Sequence, residues 1–250
     1  IADMDMAVNG PLDALKIRGN VGLLTGTEVT YVMQDSPFAL QQQENNIVTF
    51  VSFNDSTEIA EEDTLQKSSV LGMDILVNIN IAPTVKMGVN LSVDGKNRID
   101  LQGGGELAYT MNTLGDSRFT GRYNLTGGFV RYNPPIISEK LFKIQDGSYV
   151  SWNGDIADPQ MSITAVETVR TTISEEEKNT RQVNFDISII IKNSLENLSV
   201  SFDLSAPEDL TLQNQLTSLT AEQRASQAMS LLIYNTYTGP GTSTTKSDLL

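Results

Sequence analysis

Four stretches of the chain alternate apolar and polar residues over seven to nine positions. In VKMGVNLSV, Val85, Met87, Val89, Leu91 and Val93 fall on one side, with Lys86, Gly88, Asn90 and Ser92 on the other. DILVNINI groups Ile75, Val77, Ile79 and Ile81, with Leu76 interrupting its polar side. VNFDISIII sets Val183, Phe185, Ile187, Ile189 and Ile191 against Asn184, Asp186 and Ser188, and LSVSFDL sets Leu198, Val200, Phe202 and Leu204 against Ser199, Ser201 and Asp203. A period of two marks a strand with one buried and one wet face. Nine residues at strand rise reach about 30 Å, well past the usual strand. The chain is therefore expected to be all-β, with long strands sharing one apolar face. VDGKN (93–97), LGDS (114–117) and QDGS (145–148) have the Asp and Gly content of turns between antiparallel neighbours.

One stretch breaks the rule in an informative way. In GRYNLTGGFVRYN (121–133), Tyr123 and Leu125 carry the apolar face before Gly127-Gly128, whereas Val130 and Tyr132 carry it afterwards. The phase shifts by one residue, which sends side chains to the opposite face unless the backbone compensates. A glycine pair at the shift predicts a bulge or corner. The segments 17–31 and 119–132 both read apolar-x-Gly-x-apolar-x-Leu, then Thr-Gly, then Val-x-Tyr, with an echo in IDLQGGGELAY (99–109). Such repetition suits an extended, stacked β architecture; glycine at the turns of any antiparallel sheet produces the same pattern.

One helix is expected. In TAEQRASQAMSLLIYN, Thr220 caps the first turn with Gln223 as its capping-box partner, and Ala225, Ala228, Met229, Leu232 and Ile233 share a face. Residues 1–237 then read as a single domain and 238–250 as a flexible tail. The stretches 58–69 and 174–182 read as solvated loops, the first with room for a helical turn.

The chemistry available is narrow. The 250 residues contain no histidine and no cysteine, which removes Ser-His-Asp and thiolate catalysis, zinc fingers and disulfides. A net charge of −14 without Lys/Arg clusters disfavours nucleic acid. GPGTSTTKS lacks the glycine before Lys246 and the strand-loop-helix frame of a phosphate loop. The acidic runs at 61–63 and 175–177 lack the ligand spacing of a calcium loop, so no metal, cofactor or catalytic constellation is assigned. No apolar run approaches the roughly 20 residues of a spanning helix. The start IADMDM has neither a basic nor an apolar leader, so any signal or anchor is expected outside the fragment.

The apolar stripe then has two readings: the core of a closed sandwich, or the lining of a sheet that curls without closing. Candidate lining residues are Val77, Ile79, Met87, Val89, Leu91, Phe185, Ile187, Ile189, Val200 and Phe202. Gly127, Gly128, Tyr149 and Trp152 are candidates for a rim or corner. An open lining of this kind suits acyl chains, each buried CH₂ contributing roughly 0.8 kcal/mol.

The stretch 121–169 resembles the C-terminal domain of the TamB family, through Phe142-x-Ile144-x-x-Gly147 and then Trp152, Gly154, Asp155, Ala157, Asp158, Pro159, Met161, Ile163 and Ala165. Residues 198–235 resemble that family's strand, Ser-x-Pro turn and capped helix, and 9–31 its recurring strand unit. The resemblance implies an elongated β-taco, an open half-pipe with an apolar groove and a short C-terminal amphipathic helix. It implies a non-enzymatic protein of the periplasm of diderm bacteria, tethered to the inner membrane by a segment outside the fragment. Its partners would be phospholipid acyl chains or nascent strands and, through the full-length protein, an outer-membrane barrel assembly factor of the TamA type. The family usually continues into further strands beyond the helix. The alternatives are an outer-membrane barrel, for which aromatic girdles are missing, and a sandwich or solenoid that binds proteins or polysaccharide.

Overall fold

The alternating stretches become strands longer than their patterns. In the computed structural model, which describes residues 2–32, 72–92, 94–133, 138–175 and 179–239, the order is β1 (Ala2–Asn9), β2 (Lys16–Leu23), β3 (Glu28–Val32), β4 (Asp74–Asn90), β5 (Arg98–Met111), β6 (Ser117–Tyr132), β7 (Lys140–Ile144), β8 (Tyr149–Gly154), β9 (Gln160–Glu175), β10 (Asn179–Ser194) and β11 (Ser199–Ser205), then the helices α1 (Leu210–Thr217) and α2 (Ala221–Tyr234). The expectations for 58–69 and for most of the tail lie outside the described residues.

All eleven strands belong to one mixed sheet ordered β1-β2-β4-β5-β6-β7-β9-β10-β11. β1 and β11 stand at opposite ends of this order, so the sheet is not a closed barrel. β2 and β3 both run parallel to β4, alongside residues 74–81 and 86–90 respectively, and so act as one strand broken at 24–27. β7 and β8 are likewise collinear: each runs antiparallel to β6, against 129–132 and 119–124. This corrects the expectation for QDGS, which interrupts a strand instead of reversing it. The same Asp and Gly conformations serve either purpose, and only the neighbouring strand decides between them. The hairpin β9–β10 extends through Glu175 and Asn179, so most of 174–182 is strand and not loop. Its register is set by the long apolar rows behind it, and polar residues at the tip follow passively.

The interruptions line up. Breaks at 24–27 and 145–148 flank a bulge in β4 between Ile81 and Val85 and a bulge in the β5–β6 ladder at Gln102/Gly103. In the latter, Gln102 pairs with Gly127 and Gly103 with Leu125, leaving Thr126 as the extra residue. That single insertion explains the phase shift in 121–133. Tyr123 and Leu125 before it, and Val130 and Tyr132 after it, all point to the same buried side. The Thr-Gly of both sequence repeats, Thr25-Gly26 and Thr126-Gly127, sits on this line.

Hydroxyl groups stitch the line where ladder bonds are lost. The Thr25 and Thr84 hydroxyls hydrogen-bond at 2.8 Å. Thr126 Oγ1 donates to the carbonyls of Pro83 (3.1 Å) and Gln102 (3.3 Å). Tyr123, fully buried, donates its hydroxyl to the Val85 carbonyl at 2.7 Å. To reach β4 its ring crosses β5 at Gly103 and Gly105, which carry no side chain to obstruct it. Burial pushes this phenol up to about 12, so it stays protonated and donates at any ordinary pH. Farther along, Ser148 Oγ accepts from the Thr164 amide at 3.1 Å. Bulges bend their strands, and this row of them creases the sheet from β2 to β8, while β9–β10 pair without a shift.

Two helices follow the sheet where the sequence predicts one. α1 is capped by Asp209, whose carboxylate accepts from the Leu212 amide at 3.1 Å and pairs with Arg181, with Leu212 and Leu216 buried one turn apart. The Thr220/Gln223 capping box of α2 is present. Its buried face is Ala225, Ala228, Leu231 and Leu232, so Leu231 takes the place expected for Ile233, which is 38% exposed.

The bulge predicts a contrast between adjacent glycines. Gly128 has φ +124°, and a Cβ there would meet the Asp100 carbonyl oxygen at 2.0 Å, whereas a Cβ on Gly127 meets nothing within 4 Å. Gly128→Ala is expected to destabilise the domain by about 2–5 kcal/mol from strain and overpacking. Gly127→Ala should cost less than about 1 kcal/mol. Urea denaturation of both variants measures the difference.

Candidate functional site

The side of the sheet that carries the apolar rows is continuous from edge to edge. Partnered positions run Val8, Ile17, Ile75, Met111 and, one step in, Met6, Gly19, Val77, Tyr109. Beyond the crease the row Val29, Met87, Leu101, Gly128 continues on the same face. Burial along this face is graded. Ile187, Ile189 and Ile191 of β10 are fully buried, as are Ile99 and Val130 nearer the middle. Val77, Ile79 and Met87 on β4 are half-buried. On β1, Met4 and Val8 are 62% and 59% exposed, and Met6 is 45% exposed. The trough is filled at one end and wet at the other.

The filled end is closed by the chain's own C-terminal third. Phe202 of β11 lies against Tyr132 and Phe142 with ring centroids 5.7 and 6.5 Å away, which brings β11 over the far limbs of β6 and β7. Tyr237, just past α2, stacks on Phe185 at 4.8 Å, and Thr171 on the same face donates to the Asn235 carbonyl at 2.6 Å. Asn235 ends α2 in the left-handed conformation, φ 53°. Arg224 ties the start of α2 to Asp203 of β11, Nε to Oδ1 at 2.6 Å. The helix therefore runs from the edge strand onto the inner face of β9 and β10.

The expected lining residues separate along this gradient. Phe185, Ile187, Ile189 and Leu91 are fully buried, and Val89 is 8% exposed. Val77, Ile79, Met87, Val200 and Phe202 are half-buried. Gly127 and Gly128 lie mid-strand against β5. Tyr149 and Trp152 occupy opposite faces: Tyr149 is covered by the Arg122 guanidinium 3.8 Å from its ring centre, while Trp152 meets Phe119 edge-on at 5.5 Å and donates Nε1–H to the Ile156 carbonyl at 3.1 Å. The exposed row Met4, Met6 and Val8 was not among the expected lining; its alternation in ADMDMAVN is visible, but spans too few residues to stand out.

From Ile75 on β4 to Ile173 on β9, the charged residues at inner-face positions are Lys140 and Glu167. Lys140 and Glu167 are each about four-fifths buried, with Nζ 3.7 Å from Oε1, and Glu167 Oε2 is buried without a hydrogen-bond donor. Burial raises the Glu167 carboxyl above its ordinary value, an effect that Lys140 and the Leu141 amide oppose without cancelling. The outer face is instead polar and paired, with Arg18 on Asp74 at 2.7 Å and Arg98 on Asp100 at 2.5 Å. Among the described residues, no three of His, Cys, Asp or Glu are grouped to hold a metal ion.

A carboxyl whose pKa rises on folding holds its proton more tightly when folded, so its ionisation lowers stability. The stability it confers is complete below the ordinary Glu value of 4.5 and is lost as pH rises through the folded value. Glu167→Gln is thus expected to melt at or above the temperature of the parent chain at pH 7.5, with the advantage shrinking toward pH 4. Melting curves of both proteins across that range provide the check.

The family model described as the TamB C-terminal domain matches residues 2–249. Comparison with curated proteins gives no match.

Proposed function

The chain belongs to the TamB family, and from that membership we propose that its trough binds phospholipid acyl chains at the wet end of the inner face. The family is a non-enzymatic one of the bacterial envelope, with a role in outer-membrane assembly and lipid transport. No helix among the described residues is long and apolar enough to cross a membrane. In this reading the fragment works in the periplasm of a diderm bacterium as part of a complex with a barrel assembly factor of the TamA type, tethered to the inner membrane elsewhere in the protein.

The observation that carries the proposal is the exposure gradient. An apolar face that continues unbroken from a packed core to the exposed Met4, Met6 and Val8 leaves aliphatic surface in water, which is unfavourable unless something covers it. Flexible methionines fit occupants of variable shape. The charged, hydrogen-bonded outer face keeps such a trough dispersed. The second reading, a nascent strand as occupant, is favoured by β1 standing at the end of the sheet order with all eight residues exposed. Such an edge accepts another strand by backbone pairing.

Mass spectrometry of the detergent-free chain should find co-purified phospholipid. Val77→Asp/Ile79→Asp, placed where the face is half-exposed, should fold by circular dichroism and lose that lipid. Ile187→Asp, fully buried, should fail to fold because its carboxylate has no partner. A lipid-free parent chain that captures amphipathic β-peptides would move the reading to nascent strands.

A further inference from the structure

Two parallel neighbours in a sheet can be joined only by a connection that travels back along their length. β3 ends at Val32, level with Asn90 at the far end of β4. The described chain resumes at Gly72, whose amide donates to the Thr113 carbonyl at 2.9 Å beside the start of β4. Residues 33–71 therefore join opposite ends of a 17-residue strand, at most roughly 55 Å apart at full strand rise. Backbone stereochemistry selects the face on which they cross. The amides of Asp74 and Lys86, on the outer face, donate to the carbonyls of Leu15 (2.8 Å) and Thr27 (3.1 Å), just ahead of β2 and β3. Outward-facing residues of β4 thus turn their backbone groups toward β2 and β3. Inward-facing ones turn theirs toward β5, as Leu91 does in donating to the Asn97 carbonyl at 2.8 Å. In an upward strand of L-residues, a side chain that points at the viewer has its own N–H and C=O on the right. Seen from the inner face with β4 running up, β5 is therefore on the right, and β2 and β3 are on the left. A connection that moves rightward between two upward strands is right-handed when it passes in front, and about 98% of such connections are right-handed. In front is the inner face.

We infer that residues 33–71 dock along the inner face of β2–β4, with the apolar stretch IVTFVSF (47–53) resting on the wet end of the trough. The surface there fits such an occupant, since Val29 is 48% exposed and Val77, Ile79 and Met87 are half-buried. The outer face of the same strands offers Asn20, Asn78, Asn80 and Lys86, against which Ile47, Val48, Phe50, Val51 and Phe53 would gain little apolar burial. Chain direction and side-chain chemistry therefore select the same face independently. This placement goes beyond the acyl-chain reading and does not rest on it. It gives the exposed rows an occupant from the chain itself, with which lipid bound there shares or competes for surface.

The chain has no cysteine, so engineered pairs report without background. Phe50→Cys is combined in turn with Val29→Cys or Val77→Cys on the inner face, and with their outward neighbours Thr30→Cys or Asn78→Cys. All four sheet positions are at least partly exposed, so each thiol is reachable. Treatment with a short bismaleimide, read by mass spectrometry, should cross-link position 50 to 29 or 77 and not to 30 or 78. Cross-links to 30 or 78, or to none of the four, overturn the inference. A second readout separates the segment from lipid. Replacing residues 47–53 with Gly and Ser should raise the labelling of Val77→Cys by a water-soluble maleimide and leave that of Asn78→Cys unchanged. If the replacement leaves position 77 protected, the segment is not its cover, and the inference falls while the acyl-chain reading stands. Inner-face cross-links in a chain that carries no lipid support the inference and count against the acyl-chain reading alone.

Discussion

The carbonyls of Pro83 and Val85 sit in a bulge, where a strand loses its regular partners, and the hydroxyls of Thr126 and Tyr123 satisfy them. Unpaired backbone carbonyls inside a sheet are costly, so without these hydroxyls the bulge in β4 would be unfavourable. Without the bulge, strands of 16 and 17 residues would run nearly straight and their apolar sides would face a plane. The crease instead lets both limbs of a strand contribute to one interior. Leu107 and Phe119 on one limb share a buried cluster with Ile99 and Val130 on the other. Tyr123 is the most demanding member, since its ring must pass over β5, which the run Gly103–Gly105 makes possible.

Given that crease, the rest follows as a contrast between the two ends of the sheet. At β9–β11 the ladder is regular, the inner face is aliphatic, and Phe202, Tyr237 and α2 cover it. At β1 and β2 the same face continues with methionine and valine, and among the described residues it has no comparable cover. One architecture thus supplies both a stable core and an exposed apolar lining. The packed end is buried by the chain's own side chains. That separation lets the chain present aliphatic surface without losing its fold.

Much of this was legible in the residues. Alternation located the long strands, and the phase shift at 121–133 located the bulge because an inserted residue is the only way to keep Tyr123 and Val130 on one side. The capping box fixed the start of α2. Other features depended on neighbours that a linear pattern does not specify. QDGS reads the same whether it reverses a strand or interrupts one, and the parallel pairing of β2 and β3 with β4 leaves no local mark. α1 leaves little trace in the sequence because Leu212 and Leu216 give it only two buried apolar anchors. Tyr149 and Trp152 looked like companions although their odd spacing puts them on opposite faces. Lys140 and Glu167 became a pair only through the register of β7 on β9.

In the proposed function one face of the sheet, and only that face, meets lipid. The most direct test is photo-crosslinking of the chain with a phospholipid that carries a diazirine midway along an acyl chain, with labelled residues mapped by peptide sequencing. Labelling confined to Met4, Met6, Val21, Val77 and Ile79, with Arg18, Asn20, Asn78 and Lys86 untouched, is the predicted result. Equal labelling of both sets, or none on the first, would rule out a lipid-binding inner face.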